Sequence, residues 1–387
     1  MVTVNTLSAA FKPEGRYAEV CSRKINGQLV VVWSSTELED FHWDDFLEST
    51  PLGQYQQSSL WARAKSFEDW RPLRIVLTMD DRVAGGFQIL IRNSRFGSIG
   101  YISKGPVVVE EDNDLLDFVM KLVISTVKTN HLKALILQPP DRSVIDGPAM
   151  ARHWFLPNHL VEVISATLLV DLSDNMDAIS QRIRKNTMIE IRQAERRGIK
   201  IRPGCEQDVG IFFRLMLATC ERQQTNPAPA TEPALLAVWQ ALSRRDRVRL
   251  FLAEYDGAAV AGALCLCFGD RVTIWKKGWS GQHRERHPNQ LLLFKAIEWA
   301  HQHGYKFFDF AALNPDTAST LLRGEPLAED QRKSPDFVHL SYGNHPVLLP
   351  ESRIYINNFI FRIAYRSMMA SAQGRALLKF SVGNRIQ

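Results

Sequence analysis

The sequence predicts an α/β (α+β) protein of two similar units, each built on a mixed sheet, with a basic amphipathic helix after the second. Two observations carry this. The first is an internal repeat: residues 74–91, RIVLTMDDRVAGGFQILI, correspond to residues 250–267, LFLAEYDGAAVAGALCLC. Val83-Ala84-Gly85-Gly86 matches Val260-Ala261-Gly262-Ala263, and Tyr101-Ile102-Ser103-Lys104-Gly105 falls opposite Ile274-Trp275-Lys276-Lys277-Gly278. The second is the order of elements after each match, a helical run and then an apolar β-rich run, held at a spacing of 173 to 177 residues. A chain of 387 residues has room for two such units. The expected boundaries are 1–160, 161–350 and a helical tail over 351–387, packing on the first unit.

Each element has a local reason. Gln57 to Lys65 reads as a helix ahead of Trp70. Asp80-Asp81 and Asp256-Gly257 supply turn residues between β-rich runs, as a hairpin needs. Leu291, Leu292, Phe294, Ile297, Trp299 and Ala300 follow helical spacing. Gly304 ends that helix at C′, and Tyr305–Phe310 reads as a buried strand. Cys265 and Cys267 alternate within an apolar run and share one face of a strand. Residues 138–160 carry no clear periodicity and join the units. The proline-rich stretch 225–233 and the polar stretch 312–336 read as loops, the first a mobile surface loop.

Composition excludes several classes. Apolar residues make up 45% and charged residues 23%, the balance of a globular chain rather than a disordered one. No run approaches the roughly 18 apolar residues of a spanning helix, and the first residues lack the pattern of a secretory signal. Five cysteines, odd in number and without a C-x-x-C pair, fit a reducing compartment, here the cytoplasm. Neither a P-loop, H-E-x-x-H, G-x-G-x-x-G nor G-x-S-x-G occurs. His301 and His303 are two apart, off a common helical face, so no metal site is expected.

The net charge of +5 is local. Six of the 47 Lys and Arg lie in 352–387, which holds no acidic residue, leaving 41 against 42 Asp and Glu before it. That segment also contains Ile354, Ile356, Phe359, Ile360, Phe361, Ile363, Met368 and Met369. It reads as a helix packing on the first unit or, alternatively, lying on an anionic bilayer at the inner membrane face. Within the body, residues 182–202 hold eight Lys or Arg and two Glu. They form either a solvated helix, with Ile183, Ile189 and Ile191 inward, or a cationic face for phosphates. Lys65 and Arg222 are single cations with the same two readings, a plain surface charge or a grip on phosphate.

Four segments in order resemble the Fem family of aminoacyltransferases. They are Gln57-Ser58…Trp61-Ala62…Lys65…Trp70, Tyr101 to Pro106, Ile191-Arg192-Gln193-Ala194-Glu195-Arg196-Arg197-Gly198, and Gly304 to Phe310. The resemblance implies two tandem GNAT-like domains. It implies transfer of an aminoacyl group from a charged tRNA to an amine of a phosphorylated peptidoglycan precursor, without metal, cofactor or acyl-enzyme. By the same resemblance Lys65 and Arg222 contact the precursor's diphosphate. Trp61, Tyr101 and Trp275, the aromatics of the matched and repeated segments, join them as candidate substrate contacts. The family's oxyanion lysine falls where this chain has His339, so His339 and Lys277 are the candidate catalytic residues. A neutral His339 donates a hydrogen bond but carries no permanent charge. Two alternatives stay open: an acyl-CoA or acyl-carrier-protein dependent GNAT acyltransferase of envelope or exopolysaccharide synthesis, and a non-catalytic scaffold.

Overall fold

A computed structural model describes residues 11, 13, 15–94, 97–109, 112–334, 336–343 and 345–370. The chain divides into two compact units, Met1–Val163 with Pro350–Gln387, and Ile164–Leu349.

The first unit is a sheet of nine strands. They are β1 (Ala18–Ile25), β2 (Gln28–Ser35), β3 (Arg71–Met79), β4 (Arg82–Ser94), β5 (Gly97–Ser103), β6 (Val107–Val108), β7 (Ala134–Gln138), β8 (Leu156–Pro157) and, from the far end of the chain, β16 (Arg353–Ile356). Their order is β1-β2-β3-β4-β5-β7-β16-β8, with β6 on β4. Every pair is antiparallel except β5 with β7, which the crossover helix Asn113–Thr129 joins in parallel. That helix is capped by Asp112, which accepts from the amides of Asp114 and Leu115. Its stripe of Leu115, Val119, Val123 and Val127 packs on Phe87, Ile89, Ile102 and Leu135. Burying each such side chain contributes about 1.5–3 kcal/mol.

The second unit repeats this plan. Its strands are β9 (Ala166–Asp171), β10 (Lys200–Gly204), β11 (Val248–Tyr255), β12 (Ala258–Phe268), β13 (Arg271–Trp279), β14 (Phe307–Asp309) and β15 (His345–Leu348). The order is β10-β11-β12-β13-β14-β9-β15, with β13 and β14 parallel and joined by helix Pro288–Gln302. The β3–β4 and β11–β12 hairpins correspond closely. Asp80-Asp81 and Asp256-Gly257 all have positive φ, the backbone twist a two-residue hairpin favours. Each hairpin carries a bulge beyond its turn, at Ala84 and at Val260. Cys265 and Cys267 are fully buried on β12, and burial pushes the Cys267 thiol up to about 12.

Several elements differ from the sequence expectation. The chain after 350 begins with β16, because Ile354 and Ile356 alternate with Arg353 and Tyr355 and pair beside β7 and β8. The helix expected throughout 351–387 is confined, among described residues, to Phe359–Met369, and 371–387 lie outside them. Residues 312–336 form helices Pro315–Leu322 and Glu329–Lys333 rather than loop. Pro233 stands in the first turn of helix Glu232–Ser243, where its missing N–H costs nothing. The basic run 182–202 is broken: helix Met176–Arg182 stops, Ile183 turns inward in extended backbone, and helix Lys185–Arg196 follows. Ile183 and Ile191 are buried, whereas Ile189, expected inward, is exposed.

Candidate functional site

In the first unit the Gln57–Trp70 segment is anchored by buried polar groups. Ser58 caps helix Ser59–Ser66 by accepting from the Trp61 amide. Ser59 donates its amide and hydroxyl, both at 2.6 Å, to the Asp44 carboxylate. Burial raises the Asp44 carboxyl to about 6, against the pull of those two bonds. The Gln57 amide bridges strands, donating to the carbonyls of Gln88 and Ser103 and accepting from the Gln88 amide. Gly105 is required beside it, because a Cβ there would lie 2.7 Å from the Gln57 amide. Fully buried Arg74 donates to Asp40 at 2.9 Å and Gln88 at 2.8 Å. The matched Gln and Ser therefore hold the backbone in place.

Lys65 extends from this helix. Its ammonium lies 5.4 Å from the centre of the Trp61 ring and 2.7 Å from Glu68 Oε2. Trp61 is buried and packs edge-on against Tyr55. Glu68 was not singled out in the sequence, although its spacing of three from Lys65 on a helical path is a recognisable ion-pair signal. Tyr101 sits elsewhere in this unit, on the sheet face that packs with Ile136, Ile354, Ile356 and Tyr365. Burial raises its hydroxyl pKa. Lys104, next in the same motif, forms a buried ion pair with Asp141 at 2.7 Å.

In the second unit strand β13 carries most of the candidates. Gly278 faces helix Val209–Gln223 so closely that a Cβ would lie 2.6 Å from the Met216 nitrogen. Alternation then turns Lys277 to the opposite face. There its ammonium meets Nε2 of His339, from helix Asp336–His339. His339 is buried and stacks on Phe310, ring centres 4.7 Å apart and 20° from parallel. Burial, and then the neighbouring Lys277 charge, hold its pKa well below the usual imidazole value. The ring is neutral at pH 7, and with Nε2 accepting from Lys277 its proton resides on Nδ1. That atom is buried with no hydrogen-bond partner among the described residues.

The rest of β13 frames this pair. Arg271 pairs with Asp309 at 3.1 Å, and Asp309 also accepts from the Thr167 hydroxyl and the Ala311 amide, tying β9, β13 and β14 together. The Asp-Phe of the matched Gly304–Phe310 segment thus supplies a strand clamp at Asp309 and the stacking ring at Phe310. Trp275 is the extra residue of a bulge opposite Leu264 and Cys265, half-buried, with the Lys276 ammonium 5.2 Å from its ring. Arg222 does not pair with Glu221. It lies 4.8 Å above the Trp279 ring and donates to the Trp279 carbonyl at 2.6 Å and to Thr219 Oγ1 at 3.2 Å. The structure thus brings together Lys65 with Trp61, Arg222 with Trp279, and Lys277 with His339, while Tyr101 lies in an apolar cluster. Among the described residues no group of His, Cys, Asp and Glu is arranged to hold a metal.

Comparison with known proteins follows this division. The FemAB family matches residues 38–144, and the acetyltransferase (GNAT) domain matches residues 181–317. The chain is 22% identical over 304 residues to the UDP-N-acetylmuramoylpentapeptide-lysine N(6)-alanyltransferase of Weissella viridescens, covering 72% of this chain and 86% of that one. It is 24% identical over 350 residues to a lipid II:glycine glycyltransferase of Staphylococcus aureus, covering 70% and 83%. The solved structure of FemX superposes with a TM-score of 0.71 at 18% identity, over 84% of this chain and 97% of that chain. In fold the chain is similar to FemX, with its FemAB-family match in the first unit and its GNAT-domain match in the second.

Proposed function

We propose that this chain is a Fem-like N-acyltransferase, forming an amide between an activated aminoacyl group and an amine of a peptidoglycan precursor. The observation that carries this reading is that curated relatives matching about 70% of the chain are aminoacyltransferases by name. The donor is an aminoacyl-tRNA and the acceptor a phosphorylated, muropeptide-bearing molecule. Both are co-substrates, and the reaction belongs to the cytoplasm, where charged tRNA is made.

In the transfer, the acceptor nitrogen attacks the ester carbonyl carbon. An N–C bond forms, the C–O bond to the ribose breaks, and the proton lost by the amine ends on the departing oxygen. Negative charge gathers on the carbonyl oxygen in between, and a fixed cation there lowers the barrier. Lys277 suits that role. His339 is a poor base, because its Nε2 lone pair is taken by Lys277 and its pKa is depressed. It acts as a positioning residue that aims the ammonium, held in turn by Phe310. The cation that the Fem pattern places at position 339 is supplied instead from β13. Lys65 in the first unit and Arg222 in the second, each held over an indole ring, are the cations suited to binding phosphate.

The test is to incubate the full chain with nucleotide-linked or lipid-linked muropeptide and a mixture of charged tRNAs, with acetyl-CoA in a parallel reaction. The expected product is a stem peptide heavier by one aminoacyl residue. Acetylated product alone, or none with any tRNA pool and either acceptor, overturns the reading.

A further inference from the structure

We propose that the outward face of helix Phe359–Met369 docks on an anionic lipid bilayer. The inference deepens the function above by favouring a membrane-linked form of the acceptor, and it rests on that reading only for the acceptor.

The helix is fixed by its inner side. Asn358 caps it by accepting from the Phe361 amide. Tyr365 is buried, donates its hydroxyl to the Pro157 carbonyl at 2.9 Å and accepts from the His159 amide at 3.1 Å. Arg362 donates twice to the Ile356 carbonyl and lies 4.7 Å above the Tyr355 ring. At roughly 100° per residue, Arg362, Tyr365 and Met369 share one side of the helix. Phe359, Ile360 and Ile363 fall on the other.

That other side is apolar and in solvent. Phe359 is 63% exposed, Ile360 73% and Ile363 50%, with Phe361, at 65%, on one flank. An amphipathic helix of a globular domain turns its apolar stripe inward, and this one turns large apolar side chains outward. Trp154, 60% exposed, lies instead by the inner side, its ring centre 5.9 Å from the Arg362 guanidinium. Large apolar side chains flanked by the exposed Arg366 are the pattern of a helix that settles at the headgroup level of a bilayer.

Charge selects the occupant. Helix Phe359–Met369 holds Arg362 and Arg366 and no Asp or Glu; Arg362 turns inward and Arg366 is exposed on the flank of the apolar face. Two copies joined through this face would bring two acid-free, Arg366-bearing helices together, whereas an anionic headgroup layer neutralises that charge. Apolar insertion and cationic attraction then act on one surface, the two-signal arrangement that stable peripheral binding requires.

The test is flotation of the full chain with vesicles of equal parts phosphatidylglycerol and phosphatidylcholine, against phosphatidylcholine alone, followed by size measurement without lipid. The proposal expects binding to the anionic vesicles, a loss of about tenfold in Ile360→Ser/Ile363→Ser, and a smaller loss in Arg366→Glu that salt reproduces in the native protein. Positions 360 and 363 are exposed, so the fold survives, as circular dichroism would check. Absence of native binding overturns the proposal, as does equal binding by the double variant. A native dimer that the double variant dissociates, without change in vesicle binding, assigns the face to a second copy instead. The assay contains neither donor nor acceptor, so its failure leaves the proposed reaction standing.

Discussion

The Lys277 ammonium lies against Nε2 of His339, 62 positions further along the chain. An ammonium paired with a neutral, buried imidazole divides the work: Lys277 carries charge and His339 fixes where that charge points. Lys277→Ala is expected to lower kcat by about 10²–10³-fold, with KM within a few fold of native. His339→Gln, which keeps an acceptor for the ammonium, is expected to lose less. Steady-state kinetics separate the two effects, and a change confined to KM would place Lys277 in binding rather than chemistry.

The same pair makes stability depend on pH. His339 is neutral in the folded protein well below the point at which the unfolded chain takes up a proton. Its contribution is therefore intact above about pH 6.5 and is lost as pH falls below that value toward the depressed folded pKa. Urea midpoints measured on the acid side of neutrality should fall more steeply for the native protein than for His339→Gln. Parallel slopes would mean that the ring is protonated where it sits.

Asp44 has the opposite sign. Its carboxyl is raised to about 6 in the folded state, so the unfolded chain ionises first as pH rises, and stability falls between about pH 4 and pH 6. Asp44→Asn retains an acceptor for the Ser59 amide and removes the buried charge. The variant is expected to gain about 1–3 kcal/mol at pH 7 and to lose that slope. Thermal unfolding across the range checks both.

Lys65 and Arg222 are assigned to binding. Lys65→Ala is expected to raise KM for the phosphorylated acceptor about tenfold while kcat moves little. Glu68→Gln removes the carboxylate now 2.7 Å from the Lys65 ammonium, so it should lower KM. Arg222→Lys is not expected to restore the native value, since a point charge cannot stack on Trp279 while donating to its carbonyl. Equal KM values across the series would remove both cations from phosphate binding.

Much of the architecture was readable before any coordinates. The V-A-G repeat located both hairpins, and Asp80-Asp81 and Asp256-Gly257 marked their turns, because a two-residue hairpin asks for positive φ at both residues, which Asp and Gly tolerate. Helix Pro288–Gln302 followed from its own spacing, and Gly304 ended it with φ of +77°. The departures lie where polarity or proline was read as structure. The loop expected over 225–233 forms at 225–231, with Pro233 already inside the first turn of the next helix; polarity in 312–336 suggested a loop, yet two helices form there. Composition reports what a segment tolerates, and packing against the rest of the unit decides which tolerated structure it takes.

The candidate site divides along the same line. Lys65, Trp61 and Lys277 were legible because they stand in a matched or repeated segment, and Arg222 and His339 because the Fem resemblance points to their positions. Their partners were not. Glu68 beside Lys65, Trp279 beneath Arg222, Phe310 against His339, and the buried Arg74–Asp40 pair depend on strand register and on which face each side chain takes. The sequence by itself determined a repeated α/β plan with its turns and a cationic, apolar tail, because periodicity and turn chemistry are properties of a few neighbouring residues. Only the tertiary structure decided that Lys277 meets His339 and that the helix at the end of the chain turns Phe359, Ile360 and Ile363 outward. Contacts across 62 residues, and the choice of an outward face, are set by long-range packing and burial, which no local pattern encodes.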